Sequence, residues 1–168
     1  MKNIYLVGFM GVGKSLVGKA LANYLKQEFL DMDEIIEKRE GLKIVDIFSQ
    51  KGESYFRKAE KELLKEISLK QNLVVSCGGG LICSVENLKI LKNTGLVFNL
   101  KASAKVIYQR IKNERHRPLL KVEDPLKQIE SLLKKREPFY LQAHYAINTE
   151  KLTVKEIVDM IVNKLKNG

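Results

Sequence analysis

The chain of 168 residues has no tryptophan, three prolines, two cysteines and two histidines, and each shortage closes off a class of protein. Apolar residues make up 45% of it, yet none of their runs reaches the roughly 18 positions that a membrane-spanning helix needs. The N-terminal MKNIYLVGFMG breaks into glycines too early for a secretory leader, so a cytoplasmic protein with no membrane partner is expected. Cys77 and Cys83 fit neither a C-x-x-C redox pair nor a four-ligand zinc pattern, and read as reduced, small apolar side chains. His116 and His144 stand far apart with no acidic or thiol cluster beside them, which argues against a histidine-based metal centre. No repeat, low-complexity stretch or linker divides the chain, and its length suits one domain with its own core.

What is abundant is positive charge. The net charge is +10, which raises the possibility of nucleic acid, but Lys and Arg are interleaved with Asp and Glu in stretches such as EKRE and RKAEKELLKE, the pattern of solvated helix faces. With no aromatic-interleaved basic stripe, small anionic ligands are the better expectation, with no nucleic-acid partner. Short apolar runs alternate with longer segments of helical period, the pattern of strands crossing over to helices in a parallel α/β sheet. Strands are expected at Ile4–Val7, around Phe29 and Leu30, at Leu73–Cys77, Leu96–Leu100 and Tyr145–Asn148. Between them, apolar residues at helical spacing include Leu16, Val17, Ala20, Leu21, Tyr24 and Leu25, while Asn113–Glu123 reads as a loop.

The first expected strand runs into GFMGVGKS, Gly8 to Ser15, and an amphipathic helix leaves it. That is the phosphate-loop pattern in its required context. Backbone N–H groups and the helix N-terminus converge there on an anion, so Gly11, Val12, Gly13, Lys14, Ser15 and Leu16 are the expected ATP contacts. Lys14 would reach the outer phosphates, and the Ser15 hydroxyl would bind Mg2+. Such loops usually work with a carboxylate at the end of a second strand, yet LVVSC ends in Ser76, Cys77 and glycine. Asp31 and Asp33 of DMD are the nearest replacement, Asp31 assisting the metal and Asp33 facing an acceptor; continued as a strand, both would point to one side. Gly78, Gly79 and Gly80 follow the buried strand. A tight turn is the simple reading of them, and close approach of a ligand to bare backbone is the alternative.

Taken in order along the chain, the phosphate loop, DMD at 31–33, FRKAE at 56–60, GGG at 78–80, RPLL at 117–120 and REPFY at 136–140 resemble the shikimate kinase family. The resemblance implies a three-layer α/β/α P-loop kinase fold, with a five-stranded parallel sheet in the order 2-3-1-4-5. It also implies a lid near 112–124 and an acceptor-binding helical region near 33–61. It assigns the shikimate carboxylate to Arg57 and Arg136, the ring hydroxyls and the reacting proton to Asp33, and the transferring phosphate to Arg117. Gly78 to Gly80 become the pocket floor, Glu60 a helix-borne partner orienting Arg57, and Ser76 a contact to metal-bound water. Arg110 is placed near adenine, with a plain helix-surface role as its alternative. The implied protein is a monomeric, Mg2+-dependent enzyme acting on ATP and shikimate. Another small-molecule kinase, for gluconate or a nucleoside monophosphate, and a non-catalytic nucleotide-binding module remain the rivals.

Overall fold

Strand β1 (Asn3–Val7) is buried at every position because its alternating side chains feed two separate cores. Ile4 and Leu6 enter one, Tyr5 and Val7 the other. Strands β3 (Leu73–Ser76) and β4 (Gly95–Lys101) divide in the same way, with Val74, Phe98 and Leu100 on the first side and Val75 and Val97 on the second. This double burial explains why the runs are continuously apolar in the sequence. The computed structural model describes residues 2–114 and 122–167. Within them, these strands join β2 (Glu28–Asp31) and β5 (Tyr145–Asn148) in one parallel sheet of five strands ordered β2-β3-β1-β4-β5, as the resemblance implies.

Helices α1 (Lys14–Leu25), α6 (Ala104–Ile111) and α8 (Val154–Lys166) cover the Ile4 side; α2 (Met32–Glu40), α3 (Ile44–Lys51), α4 (Glu53–Ser68) and α5 (Val85–Thr94) cover the Tyr5 side. Helix α7 (Pro125–Tyr140) serves both, placing Ile129 in the first core and Tyr140 in the second. The boundaries follow local chemistry. Gly41 ends α2 at φ 65°, where glycine carries no steric penalty. Ser84, Ser103 and Asp124 cap α5, α6 and α7, and Thr153 with Glu156 forms a reciprocal capping box at α8.

One expectation needs adjustment. Leu16 and Tyr24 are 63% and 56% exposed. The buried face of α1 is Val17, Gly18, Leu21 and Ala22, one ridge over, because Gly18 lets the helix close on the ring of Phe29. The expected loop at Asn113–Glu123 falls largely on residues 115–121, outside the described residues, together with His116 and Arg117. Both cysteines are free, Cys77 buried and Cys83 partly so. Among the described residues no helix is long and apolar enough to cross a membrane.

The amino end of the sheet is tied by one side chain. Asn3, with no exposed surface, donates from Nδ2 to the Lys70 carbonyl (2.9 Å) and the Tyr5 hydroxyl (3.2 Å), and accepts at Oδ1 from the Leu73 N–H (3.1 Å). It thereby sets where the chain enters β3 beside β1. Removing it strands a buried donor and acceptor, at about 1–3 kcal/mol. Asn3→Ala is therefore expected to lower urea stability by about that amount while leaving nucleotide binding unchanged, since the phosphate loop lies at the other end of β1; equilibrium denaturation and nucleotide titration check the pair.

Candidate active site

All the candidate residues within the described part of the chain gather at the carboxyl ends of the strands, where a sheet of this kind exposes its ligand-binding edge. Beyond β1 the chain turns through Gly8 at φ 140°, and a Cβ there would run into the Leu100 carbonyl oxygen. Only glycine lets the loop leave β1 so close to β4. Gly13, at φ 100°, precedes α1 and offers no side-chain cap, so the first-turn N–H groups of α1 face the loop as an anion site. Gly11, Val12, Gly13, Lys14, Ser15 and Leu16 thus occupy the loop and first turn as expected. Lys14 Nζ donates to the carbonyls of Gly8 (2.9 Å) and Phe9 (3.0 Å), folding the cation over its own loop.

Beside it lies a set of hard oxygens. Asp31 ends β2 and caps α2, its Oδ1 accepting from the N–H groups of Asp33 (3.1 Å) and Glu34 (3.4 Å). Its Oδ2 accepts from the Ser15 hydroxyl at 2.5 Å, and Ser15 Oγ is 3.4 Å from Ser76 Oγ. Sheet register brings two of these side chains together, since Asp31 pairs with Ser76 across β2 and β3. Oxygen donors of this type suit Mg2+. Among the described residues no group of three or more His, Cys, Asp or Glu is placed to hold a metal, so an ion here would complete its shell with water and phosphate oxygens. The period-two argument for Asp31 and Asp33 does not hold, because α2 begins at Met32 and carries Asp33 away along a helix. Asp31 faces the phosphate loop and Asp33 faces Gly78. The two carboxylates part because a helix starts between them.

The triple glycine is where charged groups converge. A Cβ on Gly78 would lie 3.0 Å from Asp33 Oδ1 and closer still to Glu60 Oε1; one on Gly80 would lie 2.7 Å from both terminal nitrogens of Arg57; and one on Gly79 would come to 3.5 Å from Arg136 Nη1. Arg57 pairs with Glu60 at 2.5 Å and Glu53 at 3.2 Å, and its guanidinium lies 5.4 Å from the ring centroid of Phe56. Arg136 lies 5.4 Å from the ring centroid of Phe9 in the phosphate loop. Glu60 is not the exposed partner that helix spacing alone suggests: it is 1% exposed, and burial, opposed by Arg57 and reinforced by Asp33, pushes its carboxyl up to about 7.

Arg110 donates to the carbonyls of Gly11 (3.3 Å) and Val12 (3.5 Å), and to the hydroxyl (3.2 Å) and carbonyl (3.2 Å) of Thr149. It ties the phosphate loop to the turn after β5, which is more than a helix-surface role. Arg117 lies outside the described residues. Sequence reasoning missed Phe9, Glu53 and Tyr140 as members of this edge and left the contacts of Thr149 unassigned. Glu53 and Tyr140 each stand four residues from a key arginine on the same helix, the one signal that pointed to them.

A parallel sheet in this order, a phosphate loop with its helix, and an acceptor cleft lined by cations define a small P-loop kinase. The shikimate kinase family model matches residues 10–166. Shikimate kinase of Thermodesulfovibrio yellowstonii is 47% identical, over 100% of this chain and 99% of its own length, and that of a Sulfurihydrogenibium species is 48% identical, over 99% of each. The solved structure of shikimate kinase from Acinetobacter baumannii in complex with shikimate superposes with a TM-score of 0.94 at 39% identity, covering 99% of this chain and 94% of that one. This chain belongs to the shikimate kinase family.

Because burial raises Glu60 from an ordinary value of 4.5 to about 7, the folded protein holds a proton more tightly than the unfolded chain across that interval. The contribution of Glu60 to stability is full below about 4.5 and is lost as pH rises through 7. Replacing it by Gln removes the dependence. The melting temperature of Glu60→Gln, relative to wild type, is expected to climb between those pH values; a constant offset would contradict the assignment.

Proposed function

We propose that this chain transfers the γ-phosphoryl group of ATP to the 3-hydroxyl of shikimate, giving shikimate 3-phosphate and ADP. The observation that carries the reading is the convergence of Arg57 and Arg136 on Gly79 and Gly80, with Arg136 also stacked over Phe9 of the phosphate loop. A carboxylate held by the two guanidiniums places the rest of a small ring between that anchor and the phosphates. Family membership and the relatives' names support the same acceptor.

Asp33 Oδ1, beside Gly78, orients the attacking hydroxyl and takes its proton as the bond to phosphorus forms. Lys14 leaves the Gly8 and Phe9 carbonyls and turns to the phosphates. The backbone from Gly11 to Leu16 cradles those phosphates, and Arg110 holds the nucleotide side by fixing Thr149 against the loop. Arg117 completes the charge on the transferring group. Ser15, with Asp31 and Ser76 through water, would hold Mg2+, which neutralises phosphate charge and fixes its orientation. Glu60 holds Arg57 in register. The rate then derives from positioning and charge rather than covalent chemistry. The chain acts as one kinase domain, a monomer in the cytoplasm where ATP is abundant, with residues 112–124 as its lid and 33–61 as its acceptor-binding region. Nucleic acid has no part in the reaction.

An acceptor panel tests the reading. ADP release is expected with shikimate and not with gluconate or nucleoside monophosphates, and the reverse pattern would sink it. Arg57→Ala is expected to raise the KM for shikimate by about 10–100-fold, the worth of a charge-assisted pair, with the KM for ATP within about twofold. Asp33→Asn is expected to abolish shikimate-dependent ADP formation; a variant that stays active would remove Asp33 from the chemistry.

A further inference from the structure

The carbonyls of the triple glycine are all occupied. The Gly78 carbonyl accepts from the Leu81 N–H and the Gly80 carbonyl from the Cys83 N–H, both at 3.1 Å, through the short 3-10 turn at Leu81–Cys83. The Gly79 carbonyl has no backbone donor. Instead it accepts from the Tyr140 hydroxyl at 2.6 Å. With every carbonyl engaged, the three residues have only N–H groups left to offer, and those make no hydrogen bond within the described residues. The loop therefore shows a ligand one polarity, that of a donor, which suits a carboxylate.

We propose that Tyr140 is a positioning residue for the acceptor, acting through the Gly79 carbonyl to aim the backbone N–H of Gly80 at the acceptor carboxylate. The inference rests on the shikimate reading above. A trans peptide is planar, and no peptide in the described chain is cis. Fixing the Gly79 oxygen therefore fixes the Gly80 N–H, which points the opposite way, away from Tyr140. Gly80 is the residue packed against the guanidinium of Arg57, so this N–H and that cation act on the same anion.

Tyr140 is built for the task. It is 6% exposed and ends α7, four residues after Arg136 and on the same side of the helix. One helix face thus delivers a cation over Phe9 and a hydroxyl onto Gly79. Burial, partly opposed by Arg136, pushes the phenol up to about 12, so it stays a donor throughout the working range of an enzyme. The packing of α7 against the 3-10 turn, with Phe139 and Tyr140 in the same core as Leu81 and Ile82, leaves the ring nowhere else to go.

Tyr140→Phe keeps the ring and deletes the hydroxyl. The affinity for shikimate, measured by calorimetric titration without nucleotide and as KM, is expected to weaken about 5–10-fold, the worth of one buried hydrogen bond. The KM for ATP should stay within about twofold. A lower melting temperature with shikimate affinity unchanged would make Tyr140 merely structural and overturn the proposal, as would equal losses for both substrates. Tyr140→Leu serves as the control for packing: it should lose the same acceptor affinity and more stability, and if it binds shikimate better than Tyr140→Phe does, the hydroxyl is not the cause. Wild-type turnover on gluconate or a nucleotide in place of shikimate would instead overturn the acceptor reading itself, and this proposal with it.

Discussion

The constraint on which the site depends is the absence of side chains at three consecutive positions beyond β3. Asp33 and Glu60 reach Gly78 and Arg57 reaches Gly80 at distances where a Cβ would collide or crowd, while Arg136 comes to ordinary contact distance of Gly79. These residues come from three helices, α2, α4 and α7. A bare backbone is the only surface on which so many long polar side chains can meet without pushing one another apart. The phosphate loop imposes a similar condition at Gly8, pressed against β4, where the sheet leaves no room for a Cβ.

Charge compensation follows from that geometry. Burying Glu60 beside Asp33 is costly, and the cost is acceptable only because Arg57 lies against it. The pair adds little to stability; what it does is hold a guanidinium in one orientation before any ligand arrives. Ser76 belongs to the same balance. A carboxylate at that strand end would stand next to Asp31, its register partner, and add negative charge beside a cleft that must receive anions. A hydroxyl keeps the oxygen donor and drops the charge.

Much of this was legible in the sequence. Strands buried on both faces are continuous apolar runs, and apolar residues at helical spacing lie between them. The phosphate loop was readable because one short segment carries its whole function. The acceptor site was harder, because its parts come from helices far apart in the chain and only family resemblance brought Arg57 and Arg136 together. The burial of Glu60 depends on α4 packing over the sheet, which three-residue spacing from Arg57 cannot reveal. Tyr140 reaches Gly79 across 61 positions of sequence. Asp33 was read as the continuation of a strand at a point where the chain has already entered α2.

Lys14 resting on the Gly8 and Phe9 carbonyls has a consequence for turnover. An ammonium expelled from a phosphate into a low-dielectric cleft would be stranded, and that penalty would be felt as a barrier to dissociation. Here two carbonyl oxygens stand ready to receive it. With Lys14 in its proposed role, nucleotide entry and departure would be an exchange of partners for one cation, the loop giving up some affinity and in return easing the release of ADP.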